Sequence, residues 1–266
     1  MAKNNSFIRL EGTLDGLTFY QKDGSNFVKT KSGVSKSRIA NDPNFIRTRE
    51  NNQEFGGAAK VSKAFRQAFS EVAKLMGETY LASRLTALMK RIVTNGIGNR
   101  GQRSIDIVGN SDLLEGFVFD RKTPLSAQFF PHYDAPSLNA NRDVTTWVIP
   151  DFDTDSFIKP PEGATHFKLV LATGLLSNYA WDRNLRSYEA DNEDENAIGG
   201  TAYSAGIPLE GMVGSDTTLT VDLALGIAVP ATTAAMAAIG IVFYQEVTGD
   251  LYELASGNAM ELVLVS

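Results

Sequence analysis

GIGNRGQRSI, residues 96–105, is where this sequence changes texture. Just upstream, Leu81, Leu85, Leu88, Met89 and Ile92 form one apolar stripe at helical spacing. That stripe predicts a helix over residues 79–95, with Gly96 as its C-cap. Farther upstream, Phe45, Ile46, Phe55, Val61, Phe65, Ala68, Phe69, Val72 and Met76 keep an interrupted helical period. Asp42-Pro43 supplies its start, because aspartate caps well and proline suits the first helical position. The Gly56-Gly57 pair costs helix stability, so a kink or a break is expected there. Downstream of residue 105 the period becomes two. Strand-like runs occupy residues 116–120, 144–149, 166–172, 217–225, 238–245 and 261–265, separated by turn-formers such as Pro150, Pro160-Pro161 and Gly257-Asn258. Residues 241–254 read as a hairpin across Thr248-Gly249-Asp250. Many short strands with regular turns indicate an antiparallel sandwich, immunoglobulin-like in layout. The expected fold class is α+β: an N-terminal β-hairpin arm and helices, followed by that sandwich. The expected parts are a strand-rich basic arm (residues 1–42), a helical region and linker (43–104) and a β-sandwich domain (105–266).

The charge balance changes sign at the same place. Residues 1–105 hold 18 Lys and Arg against 8 Asp and Glu, and residues 106–266 hold 7 against 23. The net −6 of the chain therefore conceals a balance of +10 followed by −16. Such asymmetry suits a polyanionic partner, or a second copy whose acidic part meets the basic part of the first. Two differently charged solvated surfaces would give the same count, since charge speaks to association and not to fold.

Composition narrows the class further. With 266 residues and 43% apolar content the chain can bury a sizeable core, which argues against disorder as its main state. The absence of cysteine excludes disulfides and thiolate metal ligation. The opening MAKNNSFIRLEG has no apolar run before a small-residue cleavage site, so synthesis in the cytoplasm without a signal peptide is expected. Residues 223–243 are the most apolar stretch, but Pro230 and two glycines interrupt them. They read as a pair of buried strands with a turn between, and no membrane insertion is expected.

At the N-terminus, Phe7-Ile8-Arg9-Leu10 and Leu17-Thr18-Phe19-Tyr20 read as short strands, with Gly12 and Gly16 flanking the turn. A third run, residues 26–31, follows the turn signal Asp23-Gly24. A meander of this size is marginal alone and must pack on the rest of the chain or on a neighbour. Phe7, Ile8, Leu10, Leu17, Phe19 and Tyr20 are thus candidate assembly residues. Lys29, Lys31, Lys36, Arg38, Arg47 and Arg49 form a basic surface among aromatics, an arrangement that can bind single-stranded nucleic acid by stacking and phosphate contact.

Other motifs carry less. Residues 96–101 match G-x-G-x-x-G, but a dinucleotide fold needs a strand before that motif and a helix after it. Here the order is reversed, so a basic inter-domain linker is expected. Asp151, Asp153 and Asp155, with Glu162 at the twelfth position, echo a calcium loop and are candidate metal ligands. Ser156 stands where the loop needs glycine, and Pro160-Pro161 preclude the exiting helix, so the competing reading is a solvated turn. The acidic run Glu193-Asp194-Glu195 reads as a solvated loop tip. His132 and His166 have no evident acid–base partner, and G-x-S-x-G, H-E-x-x-H and G-x-x-x-x-G-K-[ST] are all absent. No enzyme active site and no cofactor site are legible.

Several local strings carry a resemblance. They are residues 12–16 with Phe19-Tyr20, Ser37-Arg38-Ile39, Asn41-Asp42-Pro43, residues 47–51 with Glu54-Phe55-Gly56, residues 114–117, residues 163–167 and residues 240–247. Across nearly its full length the chain resembles a bacterial family of uncharacterised, Bacteroidota-type proteins. The resemblance implies a shared architecture (hairpin start, helical middle, β-sandwich end) and adds no mechanism. The function expected is therefore a non-enzymatic structural protein that self-assembles, through its arm and its complementary charges, into a filament, tube, shell or phage-like particle. The alternatives are a nucleic-acid-associated protein using its basic half, and a sandwich module whose loops hold calcium or a carbohydrate.

Overall fold

The computed structural model describes residues 2–3, 10–22, 24–30 and 33–266. It is a mixed helix and sheet structure whose sheets are antiparallel throughout. The chain divides into two compact units, residues 1–49 and 50–266.

The first unit is a small sheet. Its strands are β1 (Ala2–Lys3), β2 (Gly12–Leu14), β3 (Leu17–Lys22) and β4 (Ser25–Thr30), in the order β1-β4-β3-β2. Asp15 and Gly16 close the β2–β3 hairpin with φ of 45° and 81°, the two-residue turn whose twist suits antiparallel strands. Of the expected Asp23-Gly24 turn, Asp23 lies outside the described residues. A short helix follows, α1 (Lys36–Asn41), where Ser35 Oγ accepts the Arg38 N–H at 3.2 Å. Asp42 then caps the turn Pro43–Phe45 by accepting the Asn44 N–H at 2.9 Å, as the Asp42-Pro43 signal implies.

The next helix, α2 (Ile46–Ala68), begins in the first unit and runs into the second, which continues with α3 (Ser70–Met76) and α4 (Leu81–Asn95). No break occurs at Gly56-Gly57; the helix stops instead at Phe69 (φ −103°, ψ 30°). After α4 come β5 (Phe117–Val118), β6 (Ser137–Leu138), β7 (Val144–Ile149) and a single helical turn, α5 (Thr154–Phe157). The middle of the chain supplies β8 (His166–Ser177), β9 (Tyr179–Asp182), β10 (Ser187–Ala190), β11 (Gly199–Tyr203) and β12 (Ile207–Pro208). The last strands are β13 (Thr217–Asp222), β14 (Thr233–Val247), β15 (Asp250–Glu253) and β16 (Ala259–Val265). The main sheet has the order β11-β8-β14-β16-β5, with β12 also on β8 and β15 also on β14. A second sheet runs β13-β7-β6, and β9 and β10 form a separate hairpin.

Three layers result. On one face of the main sheet, Val170, Ala172 and Leu176 of β8 and Met236, Ala238 and Val242 of β14 pack with Val61, Phe65, Leu85 and Met89 of the helices. On the other face, Phe167, Leu169 and Leu171 of β8 and Ile239, Ile241 and Phe243 of β14 meet Trp147 and Ile149 of β7 and Leu219 and Val221 of β13. The mixed helix and sheet class is as expected, and the layering adds detail to it. The sandwich is not a two-layer, immunoglobulin-like pair of sheets standing alone, because β8 and β14 are apolar on both sides and the second side is covered by helices. Nor do residues 96–105 separate two domains, since the helices and the sheet share one core.

Close approach makes that layer possible. Gly174 and Gly199 are cross-strand partners beneath the end of α2. A Cβ on Gly199 would lie 1.9 Å from the Ala68 carbonyl oxygen, and one on Gly174 would lie 2.8 Å from the Phe69 ring. The expected strand pair over residues 223–243 is in fact one long strand, β14, preceded by an irregular loop. Pro230 lacks the N–H a ladder needs, and the loop is clamped instead by Arg142. Its Nη2 donates to the carbonyls of Val229 and Pro230 at 2.8 and 2.7 Å, and its Nη1 to those of Thr233 and Ser266 at 3.2 and 3.0 Å. The β14–β15 hairpin lies where expected, its turn formed by Thr248 and Gly249, both at positive φ. Among the described residues, no helix is long and apolar enough to cross a membrane.

Candidate functional site

Neither face of the arm sheet holds a buried residue among those described. Register puts Leu14, Leu17, Phe19 and Val28 on one face. Leu14 is 66% exposed and Leu17 40% exposed, while Phe19 and Val28 are half-buried. The opposite face carries Thr13, Thr18, Tyr20, Phe27 and Lys29. There the Tyr20 and Phe27 rings stack at 5.7 Å, and the Lys29 ammonium lies 5.4 Å from the Tyr20 centroid. No described residue from 10 to 49 is buried. Of the candidate assembly residues, Leu10 is exposed, while Phe7 and Ile8 lie outside the described residues, as does Lys31 of the basic set.

The remaining basic residues of that set lie in and around α1 and the start of α2. Lys36 opens α1. Arg38 donates to Asp42 Oδ2 at 3.1 Å, with its guanidinium 5.8 Å from the Phe45 centroid. Arg49 Nη1 donates to the carbonyls of Ile39 and Asp42 at 2.8 and 2.9 Å, so it ties α1 to the helix that follows. Arg47 lies in the first turn of α2.

A second cluster lies in the larger unit and accounts for the glycine motif. Glu54 of α2 is 1% exposed yet ionised. Arg103 Nε and Nη2 grip its two oxygens at 2.7 and 2.8 Å, Lys90 of α4 bonds Oε2, and the Gly101 N–H donates to Oε1 at 2.8 Å. Burial is the largest single influence and opposes the charge. The bonds from Arg103, Lys90 and Gly101 together outweigh it and bring the carboxyl from its usual 4.5 to about 2. The Tyr188 hydroxyl donates to the Gly101 carbonyl at 3.3 Å, and burial, aided by the Glu54 charge, pushes its ionisation up to about 12. Each glycine of the motif serves this loop. A Cβ would lie 1.8 Å from Ser104 O at Gly96, 3.2 Å from Gln102 O at Gly98 and 2.9 Å from Glu50 Cα at Gly101. The segment is therefore a pinned turn and not a linker. Of the cations lining the adjoining cleft of about 610 Å³, Lys90 and Arg103 are committed to Glu54 and Arg100 lies 3.7 Å from Glu50. No sequence spacing announces Glu54, Lys90 and Arg103 as partners, because they come from two helices and a loop far apart in the chain.

Two of the three aspartates hold the local backbone with their carboxylates. Asp151 Oδ1 accepts the Gly214 N–H at 2.8 Å. Asp153 caps α5 through the Asp155 N–H at 3.3 Å and also accepts the Ser156 hydroxyl at 2.6 Å. Among the described residues, no three His, Asp or Glu side chains are grouped as a metal ion requires. His166 Nδ1 lies 3.0 Å from Thr165 Oγ1, and its Nε2 is 3.7 Å from Glu246; His132 sits edge-on to Phe157. No protein family profile, curated protein or solved structure matches the chain.

Proposed function

We propose that this chain is a non-enzymatic structural subunit that joins copies of itself, through its N-terminal arm, into a filament, tube, shell or phage-like particle. One observation carries the reading: the arm sheet has no buried residue among those described, whereas the unit of residues 50–266 has a full core of its own. A four-stranded sheet without a covered face is marginal in water. Leu14, Leu17, Phe19 and Val28 are the side chains a neighbour would cover, each contributing about 1.5–3 kcal/mol when fully buried. The outer strands β1 and β2 also offer backbone groups to which a neighbouring strand can add.

The test is sedimentation velocity and negative-stain microscopy of the full chain beside a Leu14→Asp/Leu17→Asp variant. The full chain is expected to sediment well above its 28.8 kDa monomer mass, and the variant to move toward the monomer. A full chain that stays monomeric at every concentration overturns the proposal. The Tyr20–Phe27 stack with Lys29 beside it favours a second reading, binding of single-stranded nucleic acid on that face. It predicts a gel shift at low salt that Tyr20→Ala/Phe27→Ala removes; no shift at low salt sinks it.

A further inference from the structure

Outside the arm, a cleft of about 470 Å³ lies between α4 and β5. Its apolar floor includes Leu88 and Phe117, and three arginines line it: Arg84, Arg91 and Arg121. Arg84 is 12% exposed, lies 4.7 Å over the Phe117 ring and bonds Glu78, but its Nε is buried without a partner. Arg91 and Arg121 are exposed, and neither makes an ion pair among the described residues. The one carboxylate in the lining, Glu115, accepts the Val265 N–H at 3.3 Å. With Arg84 paired to Glu78, the two unpaired guanidinium groups of Arg91 and Arg121 outnumber the single lining carboxylate of Glu115, so the cleft favours an anionic occupant.

A matching feature lies on the same chain. Glu193, Asp194 and Glu195 form a turn between β10 and β11 and make no ion pair among the described residues. Topology decides where the two features sit. β5 and β11 are opposite ends of the main sheet's strand order, and four strand spacings place them roughly 19 Å apart. Along the strands the two are offset: Phe117 pairs through Leu262 and Ala238 to Ala172 of β8, whereas Asn192 and Asn196, which flank the acidic turn, bond Ser177 of β8, so the second copy must meet this edge shifted by roughly 16 Å. One copy therefore cannot fill its own cleft with its own turn, while a second copy placed edge to edge can.

The geometry points to a head-to-tail contact in which the acidic turn 193–195 of one copy enters the Arg84–Arg91–Arg121 cleft of the next. This rests on the reading that the chain associates with itself, and adds to it a second, ionic contact that sets direction. Two different surfaces meeting in this way make a heterologous contact, which closes into a ring or continues as an open polymer.

Charge exchange tests it, with Arg84 left intact because it is packed and paired. One variant carries Arg91→Glu/Arg121→Glu, the other Glu193→Arg/Asp194→Arg/Glu195→Arg. Sedimentation is expected to show each alone associating about tenfold or more weakly than the wild type. An equimolar mixture restores association, because each altered surface then finds an opposite charge on the other variant. Unchanged association of either variant, or a mixture that stays dissociated, overturns the contact. So does saturable binding of inorganic phosphate that Arg91→Glu/Arg121→Glu abolishes while assembly is untouched, since the cleft is then a small-anion site. If the Leu14→Asp/Leu17→Asp variant dissociates while both charge variants assemble normally, this inference fails and the arm proposal stands. A wild-type chain that never associates overturns both.

Discussion

Gly57 lies under the Tyr188 ring, where a Cβ would come within 2.4 Å of Cδ2, whereas a Cβ on Gly56 would meet nothing within 4 Å. Adjacent glycines of one helix should therefore respond oppositely to alanine. Gly56→Ala is expected to raise stability by about 0.5–1 kcal/mol through the lost freedom of the unfolded chain. Gly57→Ala should lower it by about 1–3 kcal/mol through overpacking. Chemical denaturation of both variants checks this, and equal effects would show the Tyr188 contact to be unimportant. The pair stands out in the sequence as a helix-weakening signal. Its cause does not, because Tyr188 reaches Gly57 only after the whole sheet has folded. Glu54 gives a pH prediction of the same kind. Its carboxyl falls to about 2 in the folded state against an ordinary 4.5, so its stabilisation is complete above about pH 4.5 and is lost as the pH drops through 2. The size is on the order of 3 kcal/mol. The stability gap between wild type and Glu54→Gln should therefore hold from pH 7 to about 4.5 and shrink from there toward pH 2; a gap that ignores pH contradicts the ionised state of Glu54.

At the scale of elements, the helical layer depends on how near α2 can come to the sheet. Gly199→Ala pushes a methyl group into the Ala68 backbone carbonyl, which cannot turn aside, and should cost about 2–3 kcal/mol. Gly174→Ala meets the Phe69 ring and the Ala68 methyl, which can shift, and should cost about half as much. Thermal melts that rank the two variants the other way round would contradict this packing. The elements themselves were largely legible: the α4 stripe, the Thr248-Gly249 hairpin and the strands near residues 144–149 and 217–225 lie close to where their patterns put them. What the patterns hid was which strands are covered twice. β8 and β14 read as near-continuous apolar runs, and such a run fits a buried strand in several architectures. The helices appeared as a separate part because their stripe shows that a partner exists without showing which surface it is. Arg142 was invisible for a similar reason. An isolated arginine after Asn141 gives no hint that it will gather four carbonyls, including that of Ser266.

For the whole molecule, the contrast of +10 and −16 along the chain is real but overstates the charge available for association. Lys90 and Arg103 are spent on Glu54, Lys60 on Glu189, and Arg49 on backbone carbonyls. Among the described residues, Arg91 and Arg121 face the α4–β5 cleft without an ion pair, and neither stood out in the sequence because one lies in a helix and the other in a loop 30 residues on. This sorting makes the salt response of assembly diagnostic. Between about 0.05 and 0.5 M salt the screening length falls to a few ångströms, which weakens the pairing of exposed arginines with an exposed acidic turn. An apolar contact through Leu14, Leu17, Phe19 and Val28 is not weakened by the same salt. Wild-type association should therefore decline over that range to a plateau and stop there. The Arg91→Glu/Arg121→Glu variant should sit near the plateau at every salt concentration, and Leu14→Asp/Leu17→Asp should remove the plateau itself. Sedimentation across a salt series separates the two contributions. A wild-type curve that falls to pure monomer at high salt would assign the assembly to charge alone and remove the arm from it.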